Sequence, residues 1–308
     1  MHNESVYQEL FQAWRDQARA NPWLTRIFLF ILVCLAASIV ISAIHGVWYS
    51  NREHFLWANY GGLAGFIGTT TGAALIFFLR NVQDKLRDGL LGFAAGMMLA
   101  ASSFSLILPG MEAGQELFGN NVLAAFVIIA GLALGTLLML GLDHFTPHEH
   151  ASTGPCGPDC QRISGIWLFV FAIALHNIPE GMAVGVSFAQ GDLSVGIPLT
   201  TAIAIQDIPE GLAVALALRA TGLSNLRSVL IAAFTGALEP LGAVLGFSMA
   251  SSLAFAYPLG MGLAAGAMIF VVSHEVIPET HRNGHQTQAS VGLLIGFMMM
   301  MFLDTALG

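Results

Sequence analysis

The feature that most constrains this chain is the recurrence of apolar runs long enough to cross a bilayer. About 20 residues are needed to span a hydrocarbon core about 30 Å thick. Nine such runs are read here, near 24–46, 57–80, 89–109, 121–142, 164–188, 194–217, 227–250, 253–276 and 288–307. In lipid the backbone must satisfy its own N–H and C=O groups, so runs of this length become helices. Of the 308 residues, 56% are hydrophobic and only 10% are charged, a balance outside the range of soluble domains. The mean hydropathy of +0.72 agrees. The expectation is an all-α polytopic membrane protein. Its 34 glycines suit close helix packing in lipid.

Residues 1–23 are polar, with Leu10, Phe11 and Trp14 at helical spacing, and read as a cytoplasmic surface helix. The first apolar run is too long for a signal-peptide core and is read as a retained helix, 24–46. If the N-terminus is cytoplasmic, ten of the eleven Lys and Arg residues fall on the inside, and only Arg52 falls outside. That asymmetry supports both the span count and a C-terminus on the outer, periplasmic side. The formal charge of −8 does not call for a basic partner, because many of the acids lie within spans. Three cysteines are too few for a disulfide framework. No nucleic-acid motif occurs.

The chain also repeats itself. "TTTGAAL" at Thr69–Leu75 resembles "EPLGAVL" at Glu239–Leu245, and "AAGMM" at Ala94–Met98 resembles "AAGAM" at Ala264–Met268. Both pairs are offset by 170 residues (242 − 72 and 264 − 94). The offset relates spans two and three to spans seven and eight. Five spans is an odd number, so the copies are inverted, an arrangement found in transporters with a site at the midplane.

The polar residues inside the spans are the second constraint. The fifth span carries His176, Asn177, Pro179 and Glu180, and the sixth carries Gln206, Asp207, Pro209 and Glu210. The seventh carries Glu239 before Pro240. His176, Gln206 and Glu239 each lie about 12 residues into their spans, or roughly 18 Å at the helical rise, near the middle of the core. An ionised carboxylate there costs about 3 kcal/mol or more, and no Lys or Arg lies in these spans to offset it. A multivalent cation is the natural partner. His176 with Glu180, and Gln206 with Glu210, are spaced i, i+4 and so share a helix face. Asn177 and Asp207 lie one step round. Each proline leaves a carbonyl four residues back without its donor, at Leu175 and Ile205. Imidazole among carboxylates suits Zn²⁺ and similar first-row ions better than Mg²⁺ or Ca²⁺. Four carboxylates can hold two ions.

At these residues the chain resembles the ZIP (Zrt/Irt-like) family of divalent metal transporters. "HNIPEG" is similar to the signature of the family's fourth core helix, and "QDIPEG" to the paired motif on the next. The resemblance covers the eight core spans, about 57–307, and implies a 3+2+3 arrangement with one extra N-terminal helix. The first three core helices would fall in 57–142, the two metal-binding helices in 164–217 and the last three in 227–307. It implies that His176, Glu180, Gln206 and Glu210 bind a first metal. Asn177, Asp207 and Glu239 would bind a second, with Glu180 and Glu210 as bridges. Gln206 departs from members that carry histidine there, and a neutral amide is a weaker ligand. Met98 is a weaker candidate ligand: a thioether suits Cd²⁺ or Zn²⁺, but methionine in an apolar helix is commonly filler. The resemblance further implies Zn²⁺ or Cd²⁺ as transported substrate, no catalytic cofactor, uptake by alternating access, and a bacterial inner-membrane location. Its partners are divalent ions and lipid, with a homodimer left open.

A path to the cytoplasm is read from Asp143 and His144, ending the fourth span, and His274 and Glu275, ending the eighth. His148, Glu149, His150, Cys156 and Cys160 lie in the connecting loop, 143–163, which glycine and proline are expected to leave without regular structure. Asp304 is a candidate for the outer mouth. Two rival readings remain. An intramembrane metal-dependent hydrolase would want H-E-x-x-H, which is absent. A passive channel needs weak multi-site binding, which this ligand density argues against.

Overall fold

The computed structural model describes residues 52–79, 83–145, 148–150, 154–156, 165–220, 223–251, 255–281 and 284–307, with isolated positions between 19 and 37. For 144, 145, 148–150, 154–156, 165–173, 175, 176 and 220 the description is of the backbone alone. The segment 1–23 and the extra span at 24–46 therefore lie outside the described residues, apart from single helical positions.

The expected core spans are present as helices. They are α1 (Arg52–Ala74), α2 (Asp84–Ala101), α3 (Leu108–Phe118), α4 (Asn121–Phe145), α5 (Gly165–Ser187), α6 (Leu193–Ala220), α7 (Asn225–Gly236), α8 (Leu238–Ala250), α9 (Ala256–Val271), α10 (Ile277–Thr280) and α11 (Gln286–Leu307). Seven units of the described chain are long and apolar enough to cross a membrane, and α5, with 23 residues, adds an eighth. The protein is an all-α polytopic membrane protein in its core, and large apolar side chains such as Phe126, Phe234 and Phe302 lie on outward faces.

Several boundaries differ from the sequence reading, each for a local reason. The third span runs on from Asp84 to Phe118, because a π-helical turn at Ser102–Ile107 accommodates Pro109 near the start of α3. It stops at Gly119, whose left-handed φ of 64° lets its N–H cap Gln115 at 2.8 Å. The eighth span reaches Thr280, again through a π turn (Val272–Val276) ahead of a proline, Pro278. His274 and Glu275 thus sit inside a π turn and do not end the helix. The seventh span is divided at Ala237, just before Glu239. In the loop expected to lack structure, His148–His150 (β1) pairs antiparallel with Gly154–Cys156 (β2), His148 opposite Cys156.

The internal repeat organises the packing. α1 packs on α6 and α2 on α11; the copies repeat this as α8 on α5 and α9 on α4. Glycine contacts reproduce the relation residue by residue. A Cβ at Gly72 would run into the Ile208 carbonyl, and one at Gly242 into that of Ile178. Gly211 meets Thr69 as Gly181 meets Glu239, and Gly96 meets Leu293 as Gly266 meets Leu132. The offset is 170 for α1 and α2 (242 − 72), 30 between α5 and α6 (211 − 181), and 161 between α4 and α11 (293 − 132). The two π turns are mates as well, since Ser102 and Val272 differ by the same 170. The bundle therefore maps onto itself about a pseudo-twofold axis. Close backbone contact through glycine is how helices associate where lipid supplies no hydrophobic drive between them.

Candidate metal centre

α5 and α6 cross the centre of the bundle and run through their prolines, Pro179 and Pro209, without ending. Proline removes one backbone bond in each. The glycine after each glutamate lets the partner helix close: Gly181 lies on the Glu239 carbonyl and Gly211 on that of Thr69. This contact brings the start of α8 against α5 and sets Glu239 beside the two motifs.

The result is a buried acidic cluster. Glu180, Asp207 and Glu210 each offer a carboxylate oxygen, and the three lie within 4.8 Å of one another. Together with Asn177, Gln206 and Glu239, none of them exceeds 5% exposure. Gln206 Nε2 donates to Glu180 Oε1 at 2.5 Å. Thr69 Oγ1 donates to Glu239 Oε1 at 3.1 Å. Glu239 Oε2 and Asp207 Oδ2 both lie against Gly65, in the space a side chain would fill.

Several of these polar atoms have no hydrogen-bond partner among the described residues: Asn177 Nδ2, Glu180 Oε2 and Gln206 Oε1. Buried polar atoms are rarely left so, because each loses its solvation without return. A set of carboxylate and amide oxygens converging at this depth fits a multivalent cation. His176 stands one turn before Glu180 on α5; its side chain lies outside the described residues. Met98 is buried in the main apolar cluster, with Leu199, Ala202 and Ile203.

A second group forms where the end of α4 meets the π turn that follows α9. Asp143, His274 and Glu275 offer ligand atoms within 4.8 Å of one another, with His274 Nε2 4.0 Å from Asp143 Oδ1. The side chains of His144, His148, His150, Cys156 and Cys160 lie outside the described residues, so their relation to this group is not described. At the opposite end, Asp304 accepts from Ser105 Oγ at 2.7 Å. Both line a cavity of about 750 Å³ with Glu112, Glu116, Asp192 and Tyr257. The two ends are repeat mates: Glu275 is 170 residues from Ser105, and Asp304 is 161 from Asp143 (275 − 105, 304 − 143).

Sequence reasoning missed Thr69 and Gly65, although the repeat had already paired Thr69 with Glu239. It missed Ser105 as the partner of Asp304. It also missed buried Asp88, whose Oδ2 lies 2.9 Å from His285 Nδ1 and whose Oδ1 lies 3.8 Å from Arg87 Nε. No motif signals the Ser105–Asp304 and Asp88–His285 pairs, which are 199 and 197 residues apart.

Fold and site together define a helical membrane protein built around a central buried acidic cluster. The description "ZIP Zinc transporter" matches residues 143–304. The chain is 57% identical over 308 residues to zinc transporter ZIPB of Bordetella bronchiseptica, covering 99% of this chain and 98% of that one. It is 40% identical over 243 residues to zinc transporter GufA of Myxococcus xanthus, covering 78% and 96%. Against human zinc transporter ZIP11 the identity is 30% over 324 residues, covering 78% and 94%. The chain belongs to the ZIP zinc transporter family.

Proposed function

We propose that this protein carries divalent transition-metal ions, Zn²⁺ foremost and Cd²⁺ as well, into the cytoplasm by alternating access through a midmembrane site for two ions. The observation that carries this reading is the cluster of Glu180, Asp207 and Glu210 within 4.8 Å, fully inside a bundle whose crossing helices hold no Lys or Arg at that depth. Such a cluster is tolerable in lipid only when positive charge joins it. His176, Glu180, Gln206 and Glu210 take the first ion. Asn177, Asp207 and Glu239 take the second, with the two glutamates bridging. Gln206 serves twice: its NH₂ orients Glu180, and its Oε1, which accepts no hydrogen bond among the described residues, is available to the ion.

An ion arriving from the periplasm meets the cavity of Ser105 and Asp304 first. It leaves past Asp143, His274 and Glu275, and then the His and Cys residues of the loop. The Lys and Arg asymmetry supports the matching orientation, with the N-terminus cytoplasmic and the C-terminus periplasmic in a bacterial inner membrane. The ion is substrate, and no catalytic chemistry is assigned. Crosslinking of the purified protein in membranes decides whether it works as a monomer or a homodimer.

The test is metal flux into sealed proteoliposomes across a panel of divalent ions, with and without a pH gradient. Saturable uptake of Zn²⁺ is expected. Flux that never saturates would make it a channel. Hydrolysis of lipid or peptide without flux would make it an enzyme.

A further inference from the structure

α1 supplies no metal ligand in this reading, yet it holds one. Gly65 and Thr69 are one turn apart on the same buried face of α1. Glu239 reaches across from α8 to meet both. Its Oε1 accepts the Thr69 hydroxyl at 3.1 Å, and its Oε2 sits where a Cβ on Gly65 would be. One residue thus holds each end of the carboxylate. The same point on Gly65 is 3.0 Å from Asp207 Oδ2, so the cradle keeps the two acids side by side.

Thr69 differs from most hydroxyls of these helices, and Ser105, which donates to Asp304, is a second exception. Ser102, Ser103, Thr201 and Thr305 donate to a carbonyl four residues back in their own helix, the usual habit of helical Ser and Thr. Thr69 donates instead to a carboxylate 170 residues away. That offset is the repeat offset, so the Thr69–Glu239 bond joins two repeat mates across the pseudo-twofold axis. A second carboxylate at position 69 would face Glu239 and repel it. The hydroxyl provides a donor where the other copy has an acid.

We infer that Gly65 and Thr69 are positioning residues that fix the Glu239 carboxylate, with Oε2 turned beside Asp207, and so set the affinity of the second ion site and not of the first. This rests on the assignment of Glu239 and Asp207 to the second ion. It predicts that the site weakens when the cradle changes, with every ligand still in place.

The experiment is Zn²⁺ titration of the purified full-length protein, resolving the two binding events, with transport KM and maximal rate measured on the same variants. Thr69→Val keeps the shape and removes the donor. The second event should weaken about tenfold, the scale of one hydrogen bond to a charged group, while the first is unchanged. Thr69→Ser restores the donor and should return the second event to within about twofold of the parent. Gly65→Ala should weaken the second event at least as much as Thr69→Val; should it fail to fold, the Thr69 pair decides alone. Parent affinity in Thr69→Val overturns the inference. So does a Thr69→Ser variant as weak as Thr69→Val, because the effect would then be one of packing. Glu239→Gln separates the layers. If it loses one ion while Thr69→Val loses none, only the cradle fails. If it still binds two ions as the parent does, the ligand assignment fails and the cradle with it.

Discussion

The midmembrane cluster and the cluster where the end of α4 meets the π turn after α9 have the same number of ligands and the same spread, three groups within 4.8 Å. They differ in their surroundings. Glu180, Asp207 and Glu210 are buried, whereas the His274 side chain is 46% exposed and that of Asp143 is 15% exposed. Water and salt screen the second group, where an ion pair contributes about 1 kcal/mol or less. Neither reaches the first, where attraction and repulsion grow several-fold. If the proposed function is right, the comparison teaches that burial, more than ligand geometry, separates a site that must hold an ion from one that an ion passes.

The strongest way to break that comparison is to truncate the buried cluster. Glu180→Ala or Glu210→Ala removes a ligand that the proposed scheme shares between both ions, and Zn²⁺ uptake should fall about a hundredfold or more, the size of two lost charged contacts. Normal flux in either folded variant would end the two-ion reading. Glu239→Gln should be milder. In the proposed two-ion scheme its carboxylate belongs to one ion only, so bound stoichiometry should drop from two to one and uptake by about tenfold. Loss of both ions, read by equilibrium dialysis, would show that the sites cannot be divided.

Glu275→Gln or Asp143→Asn should slow uptake by only about two- to fivefold, as expected for partly exposed charge. Raising ionic strength should shrink this difference, because salt screens the exposed cluster and not the buried one. A hundredfold loss there would erase the contrast drawn from burial. The pseudo-symmetric partner sharpens the case further. Asp304→Asn leaves Ser105 as the mate of Glu275 and should act through KM alone, by about twofold. The smallest effect is expected from replacing His144, His148, His150, Cys156 and Cys160 together. Uptake should remain measurable, with a changed response to zinc accumulated inside the liposomes. Identical rates and identical internal inhibition would make the loop a plain connector.

The sequence alone determined a good deal. Run length dictates the spans, because a bilayer has one thickness and a helix one rise. The spacing of His176 with Glu180 and of Gln206 with Glu210 put each pair on one face, because helical periodicity is local. The offset of Gly72 and Gly242 exposed the repeat, because packing surfaces leave similar small residues wherever they recur. The tertiary structure decided what depends on how helices cross. It joined Thr69 to Glu239 and opened Gly65 to receive it. It set Ser105 on Asp304, with its mate Glu275 beside Asp143, and His285 on Asp88. It also set a π turn ahead of each of Pro109 and Pro278, which carries those spans past the expected ends, and it paired His148 with Cys156. Each of these is a contact between residues far apart in the chain or a strain shared between neighbouring turns. The energies of such contacts arise only after the helices have packed, so no residue pattern along one helix could announce them.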